Sequence, residues 1–570
     1  MRKYKIFLLT FMVGLMFNSC LDLDPQDQLA ETNLWGTPND FKLFANQFYG
    51  WTRDFGNSVY DAPHSDKRSD IVYDHSDRNN VYRNGTNGLT EKDDNYNDAY
   101  KRIRRTNILL KNAESYTNQS DIAQHIGEAK FFRAYCYFDL LQLFGDVIIT
   151  KKPLDVTDPE LRVARNNRSE VVDFIIEDLQ DAAEKLPSSS SVENGRIGSE
   201  GALSFLSRVA LYEGTWQKFR GNEARGKELL DISAKAAKNV IDSRKFEIFK
   251  PAVLGDSAQK YMFILEDIKS NPAGLQKNAN KEYIFARRHD EALSPIGRNV
   301  TVECLLNVQQ ISRKFVSMYL CQDGLPIDKS PLFQGYDKMD SEWANRDNRM
   351  RYTLARPHDN FWSNEKSRVS WDGGEADLAN AKTINYIPGG GGYANQKWGT
   401  ERKVNTNYEG YDYPIIRYAE VLLNYAEAVF ERDNAIEDGD LDISLNLVRL
   451  RVNSSMPKLS ENFVSTNGLD MRTEIRRERT IELYNEGFRI DDLKRWKTAE
   501  TEMPMDFLGI KWNGTEFQTT YPNPAYNRNS DGCLIVETGR KWAEKNYLYP
   551  IPADQRRLNP NLGQNPGWEN

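Results

Sequence analysis

Two stretches of this 570-residue chain hold the side chains best suited to contact a ligand. The first, residues 66–96, sets Asp70, Tyr73, Arg78 and Tyr82 among asparagines and glycines, with no sustained helix or strand period. The second, residues 336–398, carries Trp343, Trp362 and Trp371 in a polar run that includes Gly389–Gly392, four glycines that read as a flexible loop. Flat rings beside carboxylates, guanidinium groups and amides suit recognition: the ring offers an apolar face and the polar groups fix orientation. Long segments without periodicity commonly carry function. No comparable constellation suggests catalysis. The chain lacks H-E-x-x-H, G-x-S-x-G, G-x-x-x-x-G-K-[ST] and G-x-G-x-x-G. The run from Asp438 to Asp442 alternates carboxylates like a calcium loop, but Ile443 stands where that loop needs glycine and Arg449 where it needs glutamate. No cofactor is expected, although the sequence leaves room for a structural calcium elsewhere.

The elements that must position these residues are mostly helices. Hydrophobic residues make up 39% and charged residues 28%, the balance of a globular chain able to bury a large core. The net charge is −8, which argues against nucleic acid as a partner. Thr37-Pro38 reads as a cap and first helical turn. Apolar spacing predicts helices over 95–115, 120–144, 169–185, 199–219 and 224–243, with Gly145 ending the second. Cys136 falls inside the second and reads as core. From about 250 to 410 helical periods become rare, marking a loop-rich lobe, in which Cys304 and Cys321 are a candidate disulfide. Helices return at Pro414, which is expected to open one. There Arg417, Glu420, Asn424, Glu427 and Glu431 follow at spacings of 3, 4, 3 and 4, one narrow polar stripe on an otherwise apolar helix. Residues 440–453 and 470–497 continue the pattern. Paired helices, each covering the next, suggest a mainly α solenoid of tetratricopeptide-like pairs.

Residues 1–19 read as a lipoprotein signal peptide: Arg2, Lys3 and Lys5, then an apolar run from Ile6 to Phe17 too short to span a bilayer. Phe17-Asn18-Ser19-Cys20 looks like a lipobox, with lipid carried on the sulfur and amine of Cys20; the alternative is an ordinary signal peptide cut near Ser19. Several acyl chains on one cysteine make a stable membrane anchor.

Three stretches and the tail together resemble one family. They are Glu128-Ala129-Lys130-Phe131-Phe132-Arg133-Ala134-Tyr135; Pro414 to Ala428 with Leu445 to Arg451; and Arg477-Glu478-Arg479, Glu482-Leu483, Glu486-Gly487-Phe488-Arg489, Asp492-Leu493 and Arg495-Trp496. The chain closes with Tyr549-Pro550-Ile551-Pro552 and Asn559-Pro560-Asn561-Leu562-Gly563-Gln564-Asn565-Pro566-Gly567-Trp568. This order resembles the SusD/RagB family of surface lipoproteins over essentially the whole mature chain. The resemblance implies a SusD-like N-terminal helical region over 20–250 and a C-terminal region over 251–570. The latter would hold the loop-rich lobe, helices over about 414–497 and an extended tail. It also implies an outer-membrane, lipid-anchored, non-catalytic binder of oligosaccharides that delivers them to a SusC-like TonB-dependent barrel, or a peptide binder of the same architecture.

The motifs themselves, Arg479, Glu482 and Arg495 included, read as structural. A sugar ring has an apolar CH face and a rim of hydroxyls, so the ligand contacts are expected in the two aromatic stretches: Asp70, Tyr73, Arg78, Tyr82, Trp343, Trp362 and Trp371.

Overall fold

The computed structural model describes residues 35–56, 59, 63–74, 76–77, 79–305, 309–356, 360–361, 382–383, 391–402, 404–405 and 407–569. Cys20, Arg78, Trp362 and Trp371 lie outside them, as does the side chain of Cys304.

The protein is mainly helical. Its N-terminal half runs α1 (Pro38–Ala45), α2 (Asp94–Ala113), α3 (Ala123–Phe144), α4 (Arg168–Lys185), α5 (Ser199–Lys218) and α6 (Glu223–Ser243). From α2 onward each helix packs on the next, as tetratricopeptide-like pairs do. Local chemistry sets the ends. Asn167 caps α4 by accepting from the Glu170 amide at 3.0 Å, while the Glu170 carboxylate accepts from the Asn167 amide at 2.9 Å, a reciprocal box that satisfies two end donors. Helix α3 is buried on nearly every side and carries Cys136 inside it. It stops at Gly145, whose φ of +74° favours glycine and whose missing Cβ makes room for Leu548 of the C-terminal tail.

The lobe that follows contains the short helix α7 (Arg313–Met318) and short strands: β2 (Tyr283–Arg287), β3 (Gln309–Ile311), β4 (Leu354–Ala355) and β5 (Ala394–Asn395). With β1 (Val72–Asp74), three of them form an antiparallel sheet in the order β1-β3-β5-β4, pairing Tyr73 with Gln310 and Gln310 with Ala394. Cys321 is a buried free thiol, so the Cys304–Cys321 bridge is not made.

Pro414 does not open a helix. It sits in β6 (Tyr413–Arg417), antiparallel to β2, and the ladder slips register beside it, where proline has no N–H to give. Helix α8 (Tyr418–Asp433) starts only after Arg417, because Ile415 and Ile416 suit a strand better than a first turn. The stripe survives this correction and is entirely buried, each member at most 2% exposed. Glu420 pairs with Arg208 of α5, Asn424 accepts from Arg479, Glu427 takes both Nη atoms of Arg495, and Glu431 pairs with Lys218 and Arg472. Arg479 and Arg495 come from α9 (Met471–Glu482) and α10 (Arg489–Arg495).

Arg417 itself gathers Glu282, Glu482 and Glu486 at 2.7–3.0 Å. Glu482 also accepts from Arg451 at 2.9 Å and Arg349 at 3.2 Å, so three buried arginines share one carboxylate. The tail is tied down by backbone bonds: Tyr549 N–H donates to Leu143 O at 2.7 Å, and Asn565 Nδ2 donates to Phe144 O and Tyr549 O. Arg165 grips the same turn through Leu562 O and Asn565 Oδ1, both at 2.7 Å. The closing N-P-x-L-x-Q-N-P-G signature is thus a clamp on the end of α3. One hydrophobic cluster draws residues from Phe41 to Leu562; a second sits under the sheet around Phe315, Tyr484 and Trp512.

Glu482→Ala removes the shared carboxylate and leaves Arg417, Arg451 and Arg349 under-neutralised inside the protein. The expected loss is about 3–5 kcal/mol, read as a lowered urea midpoint. The same pairs set the acid limit. Burial alone would raise Glu482 and Glu427, but Arg451, Arg417 and Arg349 for the first, and Arg495 and Arg479 for the second, hold both at about 2 against an ordinary 4.5. Carboxylates depressed in the folded state stabilise it above their unfolded pKa and lose that contribution as pH falls through the folded value. The thermal midpoint is therefore expected to drop steeply between pH 4.5 and 2. Asp66 and Glu409, pushed up to about 7 by burial, work in the opposite sense, and only at higher pH.

Candidate ligand-binding site

The first part of the stretch expected as a polar loop is interior, while the described residues from 76 to 95 are mostly exposed or half-buried. Residues 64–74 are buried throughout, despite Asp66, Lys67, Arg68, Asp70 and Asp74. This costs little where charges meet partners. Asp66 accepts the backbone N–H groups of Asn485 at 2.6 Å and Arg489 at 3.1 Å, and Lys67 pairs with Asp74 at 2.6 Å.

Asp70 accepts Arg489 Nε and Nη2, both at 2.8 Å, and Lys314 Nζ at 2.5 Å. Burial would raise its pKa, but Arg489 and Lys314 override this and hold it well below the usual carboxylate range. It is a tie between α10 and α7, not a free acceptor for ligand hydroxyls. Tyr73 is also corrected. On β1 it is 4% exposed, packed on Phe507 at 5.7 Å and covered by the Arg83 guanidinium at 4.7 Å. Tyr82 is half-buried, and its ring stacks on Tyr549 with centroids 4.9 Å apart, with Arg68 at 4.2 Å. That face is occupied by the protein.

Trp343 keeps partial exposure. It ends a short turn, Ser341–Trp343, and packs on the second core cluster. Beside it Tyr393 Oη donates to Glu342 at 2.7 Å, Arg313 lies 4.3 Å over the Tyr336 ring, and Phe333 meets Tyr336 edge-on at 5.1 Å.

Arg313 connects this aromatic corner to a cleft of about 550 Å³. Helix α7 forms one wall with Arg313, Lys314 and Ser317; Glu502, Asp506 and Asn529 line the others, and Asp70 closes the floor. Ser312 caps α7 by accepting from the Phe315 amide at 3.2 Å. Leu508 also lines the cleft, from β7 (Phe507–Lys511), which pairs antiparallel with β8 (Cys533–Glu537). Gly391 packs its backbone on Gly509 so closely that a Cβ on Gly509 would lie 2.2 Å from Gly391 O, and Ile510 N–H donates to that oxygen at 2.8 Å. The described half of the glycine run is therefore docked rather than free.

Part of the cleft's charge is answered in place: Lys314 bridges Asp70 and Glu502. Its side chains also offer the hydroxyl of Ser317, the amide of Asn529, the guanidinium of Arg313 and the exposed carboxylate of Asp506. Sequence reasoning missed Arg313, Ser317, Asp506 and Asn529. The signals were faint: Ser312 as a cap before a six-residue helix, and apolar alternation in two five-residue strands. Other clefts lie among the described residues. One of about 520 Å³ is lined by Asn194, Gln276, Asn278, Asn280 and Tyr283; one of about 580 Å³ is lined by Phe246, Phe249, Tyr418 and Leu447.

Comparison with known proteins gives a consistent picture. A family model described as "Starch-binding associating with outer membrane" matches residues 21–211, and the model of the SusD family matches residues 272–568. SusD-like protein P2 of Formosa agariphila is 24% identical over the full length of both chains, and a SusD-like protein of Bacteroides ovatus is 24% identical over 78% of this chain and 72% of its own. Among solved structures, a SusD-like carbohydrate-binding protein of Bacteroides fragilis superposes with a TM-score of 0.71 at 22% identity, covering 93% of this chain and 99% of that one. The surface glycan-binding protein A of Bacteroides fluxus reaches 0.59 at 18% identity, covering 93% and 100%. The helical-pair scaffold is thus a known architecture, and the SusD family model spans more than half of the sequence: this chain belongs to the SusD family.

Proposed function

We propose that the protein is a non-catalytic receptor for oligosaccharides at the outer membrane. A lipid at Cys20 anchors it, and it passes its ligand to a SusC-like TonB-dependent barrel. The likeness to a starch-binding family model and to the carbohydrate-binding B. fragilis and glycan-binding B. fluxus proteins supports carbohydrate as the ligand class. No helix among the described residues is long and apolar enough to cross a membrane, consistent with attachment through lipid.

The observation that carries the reading is the 550 Å³ cleft running from Asp70 to Arg313, whose guanidinium also lies 4.3 Å over the Tyr336 ring, together with the partly exposed Trp343 on the second core cluster. A neutral glycan needs an apolar plate and a set of hydroxyl partners without a charge to neutralise. Trp343 and Tyr336 supply the plate. Ser317, Asn529 and Arg313 supply hydrogen bonds, while Asp70, Lys314 and Glu502 hold one another. Delivery to a barrel requires release, which favours a shallow, exchangeable site over an enclosed one.

Native affinity electrophoresis of the mature chain against a polysaccharide panel and a peptide mixture tests the class of ligand. Retardation by one polysaccharide without new reducing ends is expected; retention by peptides alone would replace the carbohydrate reading with the peptide-binding one. Location is tested by calorimetry with the glycan found. Trp343→Ala is expected to weaken binding by about 1–3 kcal/mol, roughly 5- to 150-fold in Kd. Asn278→Ala, in the amide-lined cleft, is expected to leave it unchanged. The reverse pattern would move the site.

A further inference from the structure

A small cavity lies where three distant parts of the chain meet: the segment around Arg68, the end of α10 at Lys494, and the tail from Trp542 to Tyr549. Arg68 is nine-tenths buried and its Nε finds no hydrogen-bond partner; neither do Trp542 Nε1 and Tyr549 Oη, although all three atoms are buried. Each of the three has a proton to donate. Buried donors left unmatched are costly, and such a cluster needs an explanation.

The charge around the cavity is unbalanced in the same direction. Arg68 has no ion pair with a carboxylate among the described residues; it rests on the rings of Tyr82 and Tyr549. Lys494, 4% exposed, donates to Gln142 O at 2.6 Å and stands 4.0 Å from Asp491. Asp491 is already held by His64 at 2.6 Å. Burial pulls Lys494 down to about 8 against Asp491, and Arg68, Arg168 and Arg220 press in the same direction as burial. Arg220 is stacked 3.5 Å over Trp216 and donates to Lys494 O at 3.1 Å. Of the other carboxylates in the neighbourhood, Asp93 caps α2 by accepting from the Asn95 amide at 2.9 Å, and Glu213 is taken up by Arg168 at 2.7 Å.

We propose that this cavity binds a monatomic anion, a halide such as chloride, held by Arg68, Trp542 and Tyr549 with Lys494 behind them. Size decides against larger anions: the cavity has about 10 Å³ of room, space for one water-sized body, so phosphate, sulfate and carboxylates do not fit. Charge decides between a halide and water. A water would accept from Arg68 and Trp542 and give a proton to Tyr549 Oη, but it brings no charge, whereas a halide accepts from all three donors and also offsets the buried positive charge. The ion would bolt the tail and α10 to the segment that leads into β1, linking sequence positions more than 400 residues apart.

Two measurements test this on the mature chain. Bromide-soaked crystals should show an anomalous peak in the cavity. At fixed ionic strength, replacing gluconate by chloride should raise the thermal midpoint by about 1–3 °C. Arg68→Met should abolish the chloride-specific rise, and Trp542→Phe, which keeps the ring and removes only the donor, should reduce it. Should Arg68→Met fail to fold, Trp542→Phe alone carries the test. An ordered water with no bromide signal would overturn the proposal. So would an equal chloride response in the parent and the variants, or a bromide peak at crystal concentration without any shift in solution.

Discussion

The structure turns on one carboxylate shared by three buried arginines. Glu482 takes Arg417, Arg451 and Arg349, and these come from the end of β6, the segment after α8, and the lobe. A single such group in water would be worth little; inside the protein each charge must be answered or the fold fails. The answer is given by geometry: β6 has to deliver Arg417 at the point where α8 begins, and α9 has to end at Glu482. The polar stripe of α8 extends the same logic down the helix, with one partner per turn on α5, α9 and α10. Apolar burial holds the helices together, but these pairs choose which faces meet.

Much of this was legible in the sequence. Spacing and caps placed α2 to α6 within three residues of their observed ends, and the stripe at Glu420, Asn424, Glu427 and Glu431 is readable without its partners. Pro414 misled because a proline at a first helical turn and a proline in an edge strand leave the same mark; only the partner strand β2 decides between them. The loop around Asp70 misled for a related reason. Its composition is that of a solvated segment, and nothing local reveals that Arg489, 419 residues away, will meet it. Composition reports what a segment could tolerate, whereas burial depends on what arrives from elsewhere in the chain.

The candidate cleft shows the same limit. Trp343 could be picked out because a tryptophan in a polar run is conspicuous. Arg313, Ser317 and Asn529 could not, since each is ordinary on its own and acquires meaning only when α7 and β7 meet at the cleft. The glycines at 391 and 509 illustrate how tight that juxtaposition is: two backbones touch there, and neither residue's neighbours in sequence announce it.

The clamp of the tail on α3 has a consequence for how the chain comes to be folded. Leu143, Phe144 and Arg165 receive their partners from residues 549–565, and Asp66 receives its own from Asn485 and Arg489. An early helix pair thus keeps an open end until nearly the last residues are made. Closing contacts of such separation is slow, because the entropy of a long loop is lost before the contact returns anything. The helix pairs between Asp94 and Ser243 contact one another locally, but the end of α3 is closed only when residues 549–565 reach it.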